Sequence, residues 1–319
     1  MGLLVEGKWQ DKWYDTKSTG GRFVRKDSQF RDWVIVDGSS GFKAEPNRYH
    51  LYVSLACPWA HRTLIFRKLK KLEGVISLSI ADPLMEENGW EFSDYPGSIS
   101  DSLNGSQYLH QIYTTAKPDY TGRVTVPVLW DKEKKTIVNN ESSEIILMLN
   151  SEFDEFGNST QDFYPPELRD EIDEINAVVY HNINNGVYKC GFATTQGAYE
   201  EAFNNLFSTL DQIENILSKK RYLVGDKLTL ADWRLFTTLL RFDSVYYTHF
   251  KCNLRRIEEY PHISNYLRGL YQYPGIQETV NFKHIKEHYF KSHKTINPTG
   301  IVPSGPELDL STSHNRSKL

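Results

Sequence analysis

The sequence predicts two domains in series, an α/β domain followed by an all-α domain. Three observations carry that prediction. An apolar run of strand formers at residues 50–54 ends just ahead of Cys57-Pro58, after which Leu64, Ile65, Leu69 and Leu72 fall at helical intervals. Two strand-like runs joined by a charged turn, 124–130 and 136–138, lead directly into another helix. From Glu167 to about Tyr289, apolar residues recur at helical spacing with almost no strand signal.

Taken in order, residues 1–45 lack clear periodicity, and Trp9, Trp13, Phe23, Phe30 and Trp33 predict an arm pinned to a surface. The 50–54 strand and the helix after Cys57 follow, with Pro58 suited to the first helical position, where a missing N–H costs nothing. Residues 75–80 read as a second strand, parallel to the first by the crossover rule. The polar stretch 82–121 far exceeds a normal connection, which marks it as a functional insertion. Pro127 inside the 124–130 strand demands an edge, a strand start or a cis bond. Glu141-Ser142-Ser143-Glu144 opens a helix through Ile145, Ile146, Met148 and Leu149. Strand, helix, strand, insertion, strand, strand, helix is the order of a thioredoxin-like domain, at residues 46–150.

Residues 151–165 read as a linker, 166–290 as the all-helical domain and 291–319 as a tail. One helical face carries Ile172, Ile175, Val179 and Ile183; another carries Phe203, Phe207, Leu210, Ile213 and Leu217. Thr229 and Asp232 have capping-box spacing, flanked by Leu228 and Trp233 as a hydrophobic staple, so Asp232 is expected to be structural.

The length of 319 residues suits two domains or one large one. A net charge of −4 gives no reason to expect nucleic acid or an acidic membrane as a partner. No stretch has the apolar length of a membrane span. The start Met1–Glu6 is too short and acidic for a signal peptide, and Glu6 stands where a myristoylation motif wants Ser or Thr. Cys57, Cys190 and Cys252 are widely spaced, which suits a reducing compartment and a cytoplasmic protein. The sequons at Asn104, Asn140 and Asn158 then carry no meaning. Ser317-Lys318-Leu319 is a peroxisomal address only in a eukaryotic host, and is otherwise an accident of composition.

Cys57 is the strongest chemical signal. A strand-to-helix turn sets its sulfur at a helix N-terminus, where unpaired N–H groups and the dipole favour a thiolate. The position of a second redox cysteine is taken by Ala60, so a resolving thiol must come from solution, glutathione being the obvious source. A cysteine that merely packs is the alternative, and the strand-turn-helix context weighs against it.

A thioredoxin-like half followed by a helical half resembles the glutathione transferase superfamily. Ser54–Arg62 around Cys57, Val126-Pro127-Val128-Leu129-Trp130-Asp131, Asn139-Asn140-Glu141-Ser142 and Asn184-Asn185-Gly186-Val187-Tyr188 resemble its xi class, the glutathionyl-hydroquinone reductases. The similarity runs to Ile296-Asn297-Pro298-Thr299-Gly300, nearly the whole chain. It implies that Cys57 attacks the sulfur of a glutathionyl-hydroquinone, and that a second glutathione resolves the mixed disulfide to oxidised glutathione. Glutathione would be a co-substrate, no metal is expected, and members of the class are homodimers. The resemblance has Val126, before a cis-Pro127, pair its backbone with the cysteinyl part of glutathione. Glu141 and Ser142 would hold the γ-glutamyl end, and Trp90 and Arg123 the glycyl end. Tyr188, Tyr246 and Tyr289 correspond to tyrosines lining the quinone site. Among 19 tyrosines, only the motif match singles out these three. Ser244 departs from the class, whose members often carry proline there.

Two other readings compete: an omega-like thioltransferase or dehydroascorbate reductase, and a non-catalytic glutathione-transferase-like binding module. The complete Cys57, Pro127, Glu141, Ser142 set argues against the latter. His284-Ile285-Lys286-Glu287-His288 matches an inverted zinc-protease pattern and is expected to be a surface helix pattern instead. Arg62, Arg67, Lys68, Lys70 and Lys71 are expected to form a solvated helix face.

Overall fold

The structure, a computed structural model, describes residues 2–318. Leu319, the last residue of the Ser-Lys-Leu ending, and Met1 lie outside the described residues. In chain order the elements are β1 (Leu3–Val5), β2 (Lys8–Gln10), β3 (Tyr49–Val53), α1 (Pro58–Leu69), β4 (Ser77–Ile80), β5 (Met85–Glu86) and β6 (Gly89–Trp90). Then come α2 (Leu109–Ala116), β7 (Gly122–Arg123), β8 (Val128–Asp131), β9 (Thr136–Asn139) and α3 (Ser142–Ser151). The rest is helical: α4 (Arg169–Val179), α5 (Gly186–Gly191), α6 (Gln196–Leu217), α7 (Leu230–Arg241), a short α8 (Tyr247–His249), α9 (Pro261–Tyr271) and α10 (Phe282–Ser292).

The chain forms two compact units. The first gathers residues up to Trp13, Lys26–Gln161 and Thr279–Gly300; the second gathers Tyr14–Arg25, Asp162–Glu278 and the residues from Ile301 on. In the first, a four-stranded sheet has the order β4-β3-β8-β9, with β3 parallel to β4 and the other pairs antiparallel. All of β3 is buried, as expected of a strand covered on both faces. The core around it includes Leu51, Val53, Ile65, Phe66, Trp130 and Ile145. Helix α1 starts as its sequence demands. Cys57 is the extended N-cap, Pro58 supplies N1, and Arg67 and Lys68 sit in the last turn where cations suit the dipole.

The tight β8–β9 turn hangs on Asp131, which is fully buried and accepts from the Glu133 and Lys134 amides at 2.8 and 3.3 Å. Arg48 grips the same carboxylate with Nε and Nη2, the latter at 2.7 Å, and its own pKa rises on that hydrogen bond. The N-terminal arm is more ordered than its sequence suggests. β1 pairs with β2 and β7, and Glu6 and Gly7 both take positive φ, which lets a two-residue turn close the hairpin.

In the second unit, Trp233, Phe236, Leu210, Ile213 and Ile183 are core residues. Thr229 and Asp232 form the expected capping box of α7. Buried Asp232 also accepts from the Leu223 amide at 3.0 Å and the Tyr266 hydroxyl at 2.8 Å, so it is a structural hub. Five-residue π turns occur at Tyr180–Asn184 and Phe242–Tyr246. The tail from Ile301 packs with this unit, Gln272 donating to the Leu310 and Thr312 carbonyls at 2.8 Å each.

Candidate active site

Cys57 sits 9% exposed at the head of α1, and its Sγ lies 3.7 Å from the Val126 carbonyl oxygen. The Val126–Pro127 bond is cis, one of the three options that a proline in this strand leaves open. What fixes that segment comes from the insertion. The Tyr113 hydroxyl on α2 donates to the Thr125 carbonyl at 2.8 Å, accepts from the Thr125 amide at 3.2 Å and accepts from Asn140 at 3.0 Å.

Glu141 is the N-cap of α3. Its carboxylate accepts from the Ser143 amide at 3.0 Å and the Ser143 hydroxyl at 2.9 Å, and Ser28 donates to its other oxygen at 3.3 Å. Burial pushes its pKa up, but the Ser143 hydrogen bonds and the charges of Arg62 and Arg31 outweigh that and hold it below the ordinary carboxylate value. Arg62 points an Nη at the Ser142 hydroxyl, 3.4 Å away, and lies 4.7 Å from the centre of the Trp59 ring.

Trp90 is buried in the β5–β6 hairpin and stacks on His288 of α10, ring centres 4.8 Å apart at 19°. Tyr289 follows on α10, buried, with its ring edge-on to His288 at 5.1 Å and to His293 at 5.4 Å. Arg123, on β7, donates from Nη1 to the Lys12 carbonyl. The first unit therefore carries Cys57, Trp90, Arg123, Val126, Pro127, Glu141, Ser142 and Tyr289.

Tyr188 and Tyr246 belong to the second unit, ring centres 6.0 Å apart. They sit in an aromatic cluster with Phe23, Phe192 and Phe250; Tyr246 stacks on Phe250 at 5.5 Å and 11°. The Arg25 guanidinium covers the Tyr188 ring at 5.2 Å. Tyr246 ends the Phe242–Tyr246 π turn, a rare geometry that often marks functional sites. Ser244 lies within that turn and donates to the Arg241 carbonyl at 3.3 Å.

Two expectations need correction. Arg62 and Lys70 do not lie on a solvated face: both are 1% exposed. Lys70 is held by the Gln161 carbonyl at 2.7 Å and Asp154 at 2.8 Å. His284 and His288 are not on a surface pattern either. They are buried, against the Pro96 carbonyl at 2.7 Å and the Pro83 carbonyl at 2.8 Å respectively. Among the described residues no cluster of metal-ligating side chains occurs. Not anticipated as neighbours of the candidate residues are Arg62, His288, Arg25 and Phe250. Only Arg62 carried a signal, its i to i+3 spacing from Trp59 on a helix.

A thioredoxin-like sheet with a cysteine at a helix start, followed by a helical unit, is the build of a glutathione transferase. The glutathione S-transferase N-terminal domain family matches residues 56–152, and its C-terminal domain family matches residues 196–269. The chain is 58% identical to glutathionyl-hydroquinone reductase YqjG of Escherichia coli K12, covering 99% of this chain and 98% of that one. It is also 58% identical to glutathionyl-hydroquinone reductase PcpF of Sphingobium chlorophenolicum, covering 97% and 98%. The glutathione-bound YqjG structure superposes with a TM-score of 0.92 at 54% identity, over 99% of each chain. A xi-class transferase from Natrialba magadii does so at 0.94 and 48%, over 100% of this chain and 97% of that one. The chain belongs to the xi class of glutathione transferases, the family of the glutathionyl-hydroquinone reductases.

Proposed function

We propose that this protein reduces glutathionyl-hydroquinones to hydroquinones with glutathione as co-substrate. The Cys57 thiolate attacks the glutathione sulfur of the conjugate. The sulfur–aryl bond breaks, its electron pair stays on the ring carbon, and a proton completes the hydroquinone. Cys57 is left as a mixed disulfide with glutathione. A second glutathione thiolate attacks the glutathione sulfur of that disulfide, releasing oxidised glutathione and regenerating Cys57.

The observation that supports this best is the setting of Cys57. It caps a helix beside the Val126 carbonyl, Ala60 stands where a resolving cysteine would be, and the other cysteines belong to the second unit. In this reading Val126, with Pro127 behind it, takes the cysteinyl backbone of glutathione. Glu141 and Ser142 take its γ-glutamyl end, and Trp90 and Arg123 its glycyl end. Tyr188, Tyr246 and Tyr289 serve the quinol, a phenol offering an O–H to a quinol oxygen and a ring to pack on it. The working form is a homodimer acting in the cytoplasm; among the described residues no helix is long and apolar enough to cross a membrane.

Intact-mass measurement after exposure to glutathionyl-menadiol tests the reading. One reducible glutathione on the wild type, absent from Cys57→Ala, is expected, with turnover lost in Cys57→Ser. Modification at Cys190 or Cys252 would sink the mechanism. Dehydroascorbate turnover outpacing that of the conjugate would reassign the chain to an omega-like thioltransferase.

A further inference from the structure

The second unit holds a cavity of about 220 Å³ lined by Arg221, Tyr222, Tyr266, Tyr273, His314 and Arg316 among others. Among the described residues, its walls carry no carboxylate. The carboxylate whose charge reaches Arg316 is that of Asp232. It is already shared by the Leu223 and Thr229 amides, the Thr229 hydroxyl and Tyr266. Among the described residues, Arg221, Arg268 and Arg316 form no ion pair with any acid.

The guanidinium groups divide the work. Arg316 is 3% exposed, and its N–H groups are spent on neutral carbonyls: Leu217 at 2.8 Å, Arg221 at 2.7 Å, and Lys220. It closes the C-terminal end of α6, and among the described residues no acid pairs with it directly. Arg221 stacks on Tyr222 at 5.2 Å, and its Nε is buried without an acceptor. His314 feels burial first and then Arg221, Arg268 and Arg316, which together hold its pKa below the ordinary value. Its Nδ1 accepts the Arg316 amide at 3.4 Å. Gly269 lets the tail lie this close, since a Cβ there would come within 3.2 Å of Arg316 Cγ and 3.5 Å of His314 Nδ1.

A pocket with two guanidinium groups, an unmet buried N–H and, among the described residues, no acid in its walls selects an anion. A dianion relieves more of the mutual repulsion than a monoanion, and the planar guanidinium fork matches phosphate oxygens. The cavity is larger than the anion alone needs, and tyrosine rings wall the remainder. We propose that this pocket binds a phosphate group, either free or carried on a small organic molecule.

Titration of the full-length protein with inorganic phosphate and with phenyl phosphate, by calorimetry and by the His314 NMR signal, tests this. At least one ligand should saturate at ~1 mM or tighter, with His314 shifting in step. Tighter phenyl phosphate binding would identify the ester; equal binding would identify phosphate itself. Arg221→Gln keeps the backbone carbonyl that holds Arg316, and should weaken binding about tenfold or more. Arg221→Lys should recover part of that loss, which separates lost charge from misfolding. Arg255→Gln, elsewhere on the surface, should change nothing. Absence of saturable binding of both ligands to the wild type would overturn the proposal. So would unchanged affinity in Arg221→Gln, or an equal loss in Arg255→Gln.

Discussion

Glu141 and Arg62 show how single buried charges shape this site. A buried carboxylate would ordinarily drift towards its neutral form. Here two hydrogen bonds from Ser143 and the nearby Arg62 and Arg31 keep it ionised. Because its folded pKa lies below the unfolded one, it adds stability that is fully present above the ordinary value of 4.5. That contribution is lost as pH falls through the lower folded value. Glu141→Gln should therefore be less stable than the wild type near neutrality, and the gap should narrow as the pH is taken below the ordinary carboxylate value. Denaturant unfolding of both proteins across that range is the measurement; a gap that stays constant with pH would refute the account. The tyrosines make a separable prediction. If each hydroxyl serves the departing quinol, Tyr→Phe at 188, 246 or 289 should cost about 1–3 kcal/mol of transition-state stabilisation while glutathione affinity holds. If they only pack, as the aromatic surroundings of Tyr246 also allow, melting temperature falls and turnover per folded molecule does not. Both quantities measured on the same variants decide between these outcomes.

At the scale of elements, pairs of charges and caps hold the sheet and helices in register. Arg48→Met leaves Asp131 fully buried with only turn amides for company, and should cost about 3–5 kcal/mol in denaturant unfolding. Asp232→Ala removes the acceptor of four groups at once. It should cost roughly 2–4 kcal/mol without changing turnover per folded molecule, since its role is structural. These elements also show what a sequence can disclose. The turn at Cys57 was legible because Pro58 and a period of apolar residues mark the same boundary, and Pro127 restricted its own strand to a few geometries. The capping box at Thr229 was legible because it is a local hydrogen-bond rule. The β1–β2 hairpin was not, since three-residue strands are too short to show a period; its one signal was Glu6-Gly7. The π turns leave no spacing pattern at all. The burial of Arg62 and His288 depends on partners far away in sequence, and no local rule reports those.

At the scale of the whole molecule, the first unit is not a contiguous segment. The chain passes between units at residues 13/14, 25/26, 161/162, 278/279 and 300/301. The return of Thr279–Gly300 brings α10 back to the first unit, where several partners depend on it. His288 stacks on Trp90, and Ser292 accepts the Met85 amide at 2.9 Å. Glu287 accepts from Tyr95 at 2.6 Å, and Thr279 meets His61 at 2.7 Å. A fragment ending at Gln161 would keep the whole sheet and Cys57, yet lose the ring that backs Trp90 and the partners of His61 and Tyr95. Leaving the buried imidazole of His61 without its hydroxyl partner alone costs about 1–3 kcal/mol, and exposing the apolar back of Trp90 adds to it. Marginal stability leaves little room for several such losses together. The fragment should therefore lack a cooperative melting transition and fail to retain on immobilised glutathione. The full chain should unfold in one transition that glutathione raises as a whole, by RT ln(1 + [L]/Kd), or about 2.7 kcal/mol at a hundredfold excess over Kd. Calorimetry of both, with and without glutathione, is the check. A fragment that melts cooperatively and binds glutathione as tightly as the full chain would show that α10 is dispensable to this unit.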